Sequence, residues 1–163
     1  MPPGAPETRQ LEPEFFEKLG RLVQHWALID AGLVDLLAAC LHADPGMTLL
    51  LARTVSGSTV TDWVRKMSRF LDTPEDSLQE LESILRQIDE LRAERNALVH
   101  GLWATDLSGA GTILVQTFRL HATQPARQRL VTLADIDELI DLTLEIYARL
   151  RAFLLAHGLL GVT

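Results

Sequence analysis

One short run brings together residue types that can do chemistry: Arg95, Asn96 and His100, with Trp103 just beyond, in ERNALVHGLW. A histidine titrates near neutral pH and can act as general base or general acid. An arginine carries a permanent charge on a planar fork of donors that matches the oxygens of a carboxylate or phosphate. Asn96 adds a neutral donor and acceptor able to position either neighbour. On a helix Asn96 and His100 share a face, being four apart. His100 lies about 140° around from Arg95 and roughly 7.5 Å along the axis. The three make a polar wedge that can meet a second helix, or the same helix of another subunit. Trp103 reads as packing in a core or interface, or as a platform on which a base could stack.

The element that must position them spans Thr73 to Trp103. Thr73 suits an N-cap, Pro74 the first turn, and Asp76 completes a capping box with Thr73. Leu78, Leu81, Leu85, Ile88, Leu91, Leu98 and Leu102 recur at helical spacing and form one apolar stripe. Gly101 weakens the pattern, so the helix should end between His100 and Trp103. Arg95 projects from beside this stripe, where a guanidinium is costly unless acceptors or an anion face it.

Upstream, Pro13 to Leu41 should form a first long helix, with Phe15, Leu19, Leu22, Trp26, Ile29, Leu33 and Leu37 among its apolar residues. So broad a face must pack between several helices or leave one flank as an interface. Asp30 falls on this face and needs a partner; His25, Arg95 and His100 are the available ones. It reads as a structural ion pair or as support for a site behind the reacting groups. HADPG (42–46) is a turn around the breaker pair Pro45-Gly46, and Thr48–Val55 a short helix stopped by Ser56-Gly57-Ser58. A further helix, Val60–Leu71, carries Arg65, Lys66 and Arg69 on its polar side. These cations are either a solvated face or phosphate contacts for a nucleic acid, with Arg65 and Arg69 the substrate-binding candidates.

After the motif, Thr105–Thr112 is a loop, Ile113–Leu120 a strand, and Arg129–Leu133 a short partner strand. Leu133–His157 is the last long helix, opened by a capping box of Thr132 and Asp135 and stopped at Gly158. The fold class is therefore all-α: a bundle of four to five helices with a short β-hairpin inserted between the motif helix and the last helix. Residues 1–12 read as a loose tail before a single domain over 13–163.

Composition narrows the function. With 163 residues, 47% of them hydrophobic, one sizeable core is available. A formal charge of -7 argues against a nonspecific DNA-coating protein but not against a small basic cleft. Cys40 is the single cysteine, which excludes an internal disulfide and reads as a buried thiol. The five histidines are dispersed without HxxxH or HExxH spacing, so no metal site and no cofactor is expected. The apolar runs 28–41 and 150–162 are broken by charges, so the expectation is a soluble cytoplasmic protein without a membrane span.

The Arg95-Asn96-x-x-x-His100 run on a long helix of a small all-α chain resembles the HEPN superfamily. Its signature is an arginine, usually a polar residue after it, and a histidine four to six positions from the arginine. The resemblance covers about two thirds of the chain. It implies a homodimer whose motif helices face each other and combine two Arg95/His100 sets in one cleft. It also implies metal-independent endoribonuclease activity on RNA in a toxin or defence setting, with a cognate antitoxin as partner. Relatives that have lost catalysis imply an inert dimerisation module or a nucleotide- or RNA-binding module instead. The same residues could also form only a structural polar network, with Arg95 paired to Asp30 and His100 at the negative end of the helix dipole.

Overall fold

The computed structural model describes residues 13–70, 74–105, 112–117 and 127–159, so the expected tail over residues 1–12 lies outside them. The elements are α1 (Pro13–Leu41), α2 (Pro45–Ala52), α3 (Gly57–Met67), a 3₁₀ turn (Ser68–Phe70), α4 (Glu75–His100), β1 (Leu102–Thr105), β2 (Ile113–Thr117), β3 (Arg127–Val131) and α5 (Leu133–Ala156). The helical bundle with a β insertion between the motif helix and the last helix is thus as expected. The insertion is a three-stranded antiparallel sheet in the order β1-β2-β3.

The core is the junction of α1, α4 and α5. Phe15, Leu22, Ile29, Leu33, Leu36 and Leu37 of α1 are essentially water-free. They meet Leu81, Ile84, Leu85 and Ile88 of α4 and Ile136, Ile140 and Leu150 of α5 in one cluster. Each such Leu or Ile contributes about 1.5–3 kcal/mol by leaving water. α1 and α5 run in the same direction: Lys18 reaches Asp137 at 2.7 Å at one end, while Leu150 lies against Gly32 farther along. A Cβ at Gly32 would stand 2.8 Å from Leu150 Cδ2, so any larger residue there would force Leu150 to shift. The breadth of the α1 apolar face follows from its contacts with α2, α3, α4 and α5 together. By length and composition α1 could cross a membrane, but half of its most apolar window is buried within the bundle.

Several boundaries differ from the sequence reading. Pro45 and Gly46 open α2 rather than form a free turn, because Asp44 caps the helix by accepting from the Met47 N–H at 2.9 Å. Proline fits there since a first-turn N–H has no helical acceptor. Ser56 likewise caps α3, which starts at Gly57, so the supposed polar linker is the first turn of a helix. α4 starts at Glu75 with Pro74 at the N-cap and no side-chain cap; Thr73 and Leu71 lie outside the described residues. The helix ends at His100, and Leu102 and Trp103 belong to β1, so Leu102 leaves the stripe and is 63% exposed. Gly101 makes this turn possible through proximity: an added Cβ would meet the Ala97 carbonyl oxygen at 2.5 Å and Val115 at 2.8 Å. Of the expected Ile113–Leu120 strand, β2 covers Ile113–Thr117 and 118–120 lie outside the described residues, while β3 spans Arg127–Val131 rather than Arg129–Leu133. The Thr132/Asp135 capping box forms as read, and Gly158 has a φ of 62°, the left-handed value that ends helices. Cys40 is buried, and loss of water pushes its thiol up to about 11.

Candidate functional site

The stripe of α4 places side chains at 81, 85, 88, 92 and 95, and at its upper end the apolar residues give way to Arg92 and Arg95. Both face α1. Trp26, buried there, has the Arg92 and Arg95 guanidinium carbons 5.8 Å and 5.7 Å from its ring centre. The negative face of an indole attracts cations, by about 0.5–2 kcal/mol each. One indole therefore serves two guanidiniums, and the two differ in everything else they touch.

Arg92 is buried and bonded through both terminal nitrogens. It donates to Thr61 Oγ1 at 2.8 Å and to Asp89 Oδ1, and the backbone of Gly57 packs against its Nε. Asp89 also accepts from Arg65 at 2.6 Å, and Arg65 reaches Glu82 at 3.1 Å and Asp62 at 3.2 Å. This ion network ties α3 to α4. Arg65, a candidate phosphate contact in the sequence, has its donors engaged by three carboxylates. Arg69 is exposed in the 3₁₀ turn and has no bonded partner among the described residues.

Arg95 is half-buried and incompletely satisfied. One terminal nitrogen donates to Asn96 Oδ1 at 2.8 Å, while its Nε is buried without a partner. Burial lowers its proton affinity, Asp30 opposes that, and Arg92 adds to it; an arginine nevertheless stays charged at neutral pH. Asp30 lies on the exposed side of α1, yet loss of water around its carboxylate raises its pKa, against the pull of Arg92 and Arg95. It feels the charge of two arginines and a hydrogen bond from Trp26, rather than either histidine.

His100, the last residue of α4, is exposed one turn past Asn96 and bonded to nothing among the described residues. The structure therefore joins Arg95 to Asn96 and brings Asp30 beside them, but leaves His100 unlinked to all three. Trp103 stands apart: its indole N–H donates to the Leu98 carbonyl at 2.7 Å, and its ring meets Phe15 edge-on at 5.4 Å and Phe16 at 6.3 Å. It closes the end of α4 and anchors β1 to α1. Among the described residues no three His, Cys, Asp or Glu side chains converge as a metal site would require.

Sequence reasoning missed Arg92 and Trp26. Their signal was present, since Arg92 is four residues past Ile88 and so directly on the apolar stripe. Chemically, the arrangement offers a desolvated cation with spare donors, an amide held beside it, and an untethered imidazole about a turn away. That set can grip an anion and move a proton. No family model matches the chain, and neither a curated protein nor a solved structure is significantly similar to it.

Proposed function

We propose that the chain is an endoribonuclease of HEPN type that needs no metal ion and acts as a homodimer, in which two α4 ends supply Arg95 and His100 to one cleft. The observation that carries this reading is the buried, unpartnered Nε of Arg95. A desolvated donor without an acceptor is costly, by about 1–3 kcal/mol, and an RNA phosphate at the guanidinium's unbonded terminal nitrogen would offset the cost of holding this cation half-buried. Cleavage by internal attack removes a proton from the 2′-hydroxyl, forms the bond from that oxygen to phosphorus, and breaks the bond to the 5′-oxygen, which takes up a proton. It leaves a 2′,3′-cyclic phosphate. Two histidines serve as base and acid, and the motif supplies one, His100, per subunit, so the pair calls for a second copy. Arg95 offsets charge on the nonbridging oxygens. Such an enzyme would act as a toxin or defence effector held in check by an antitoxin.

A second reading is a module that binds RNA or a nucleotide without cutting it. It is favoured by one contact: Asn96 is bonded to Arg95 and leaves His100 unoriented. The deciding experiment is RNA cleavage in EDTA by the wild type, His100→Ala and Arg95→Ala, each checked for folding and by sedimentation. Loss of cleavage in both folded variants supports the nuclease. RNA retention without cleavage selects the binding module, and a wild type that is strictly monomeric while cutting overturns the shared cleft.

A further inference from the structure

Beside the motif, on the flank of α4 that carries Glu94, α4, α5 and the sheet line a groove of about 320 Å³. Leu91, Leu139 and Leu142 line it from the helices, and β3 forms one wall. β3 is an edge strand: it pairs with β2 and with no other described strand, which leaves one row of its N–H and C=O groups unpaired. Such an edge is a template for one more strand. The pairing also fixes which side chains face out. Ile113, Val115 and Val131 are buried toward the helices, so Leu114 and its partner Leu130 lie on the opposite face, and Leu130 is 57% exposed. With Leu142 at 40% exposed, apolar surface continues from the sheet into the groove.

The rim supplies the sign of the partner. Glu94, Asp135 and Glu138 stand around the groove against the single cation Arg129, and three carboxylates less one guanidinium leave two negative charges. Arg129 is bonded to Glu94, Asp135 is engaged in the α5 cap, and Glu138 has no bonded partner among the described residues. A second copy of this chain would present the same acidic rim, so pairing of two such grooves face to face is opposed by repulsion.

We propose that the β3 edge and the groove behind it form a docking site for an extended segment of another protein, one that alternates apolar side chains with lysine or arginine. Main-chain bonds along β3 would give affinity, an apolar side chain would enter the groove, and the rim would select the cation. This surface is independent of the RNA-cleavage reading.

The test uses fluorescence anisotropy on the full chain with two labelled peptides, Lys-Leu-Lys-Val-Lys-Leu-Lys and its counterpart with every lysine replaced by glutamate. The expected result is about tenfold or greater preference for the lysine peptide, and a loss of similar size when alternate peptide amides are N-methylated. Glu138→Lys should weaken binding by about fivefold or more, whereas Glu80→Lys, the same charge change near the start of α4 and off the groove, should not. Equal effects of the two variants, indifference to N-methylation, or no binding of the lysine peptide each overturn the proposal. So does a chain dimer that Leu142→Asp dissociates, because the face would then belong to a second copy.

Discussion

Arg92 and Arg95 are the same residue type, on the same helix stripe, against the same indole, and they have opposite fates. Arg92 is enclosed by Asp89, Thr61 and the Gly57 backbone, so its charge is matched inside the protein. Arg95 has one amide contact, a buried Nε without an acceptor, and Asp30 nearby on the exposed side of α1. Proximity to the core therefore does not distinguish a structural arginine from one available to a ligand. The count of satisfied donors does, because each unmet buried donor is free energy that a ligand can recover.

Four outcomes would sharpen or break this contrast. The largest effect should come from His100→Ala, which is expected to cost about a hundredfold or more in RNA cleavage while leaving the melting curve nearly unchanged. An equally active variant removes the nuclease side of the contrast. Next is Arg92→Met, expected to destabilise by about 2–4 kcal/mol in urea titrations, since Asp89 keeps only Arg65 and Thr61 loses its donor. Arg95→Met should shift stability by less than about 1 kcal/mol, because it removes an unsatisfied group along with its charge. If the two arginine variants unfold at the same denaturant concentration, Arg95 is structural after all.

The smallest effect concerns pH. Burial raises the Asp30 carboxyl above its ordinary value, so the folded state holds that proton more tightly than the unfolded chain does. Its contribution favours folding below the unfolded carboxyl's pKa and is lost as pH rises through the raised folded value. Asp30→Asn should flatten this decline in a stability–pH profile. Arg95→Met should move the decline to higher pH, because one of the two cations opposing the shift is gone.

The sequence carried the helices well and the site by halves. Pro13–Leu41 was readable to both ends because long apolar periodicity and a broad buried face agree. The Thr132/Asp135 box was readable because capping is local chemistry. α2 and α3 began earlier than read, since Asp44-Pro45-Gly46 and Ser56-Gly57-Ser58 can be either turns or capped first turns, and only the backbone decides. β1 was hidden because Leu102 and Trp103 continue the helical period; the break comes from β2 pressing on Gly101, a contact no local pattern encodes. At the site, Arg95 and Asn96 were legible as residue types. Their mutual bond was not, because neighbours in sequence leave a helix in different directions and meet only through a long flexible guanidinium.

The parallel packing of α1 against α5 also bears on how the chain is made. The two helices that share most of the core lie at opposite ends of the described chain, with Lys18 and Asp137 separated by 119 positions. On a ribosome α1 emerges early, as 29 mostly apolar residues whose principal partner has yet to be translated. Contacts of such long separation form slowly. Until α5 clears the exit tunnel the nascent protein therefore shows the flank of α1 that α2, α3 and α4 do not cover, an apolar surface prone to aggregation.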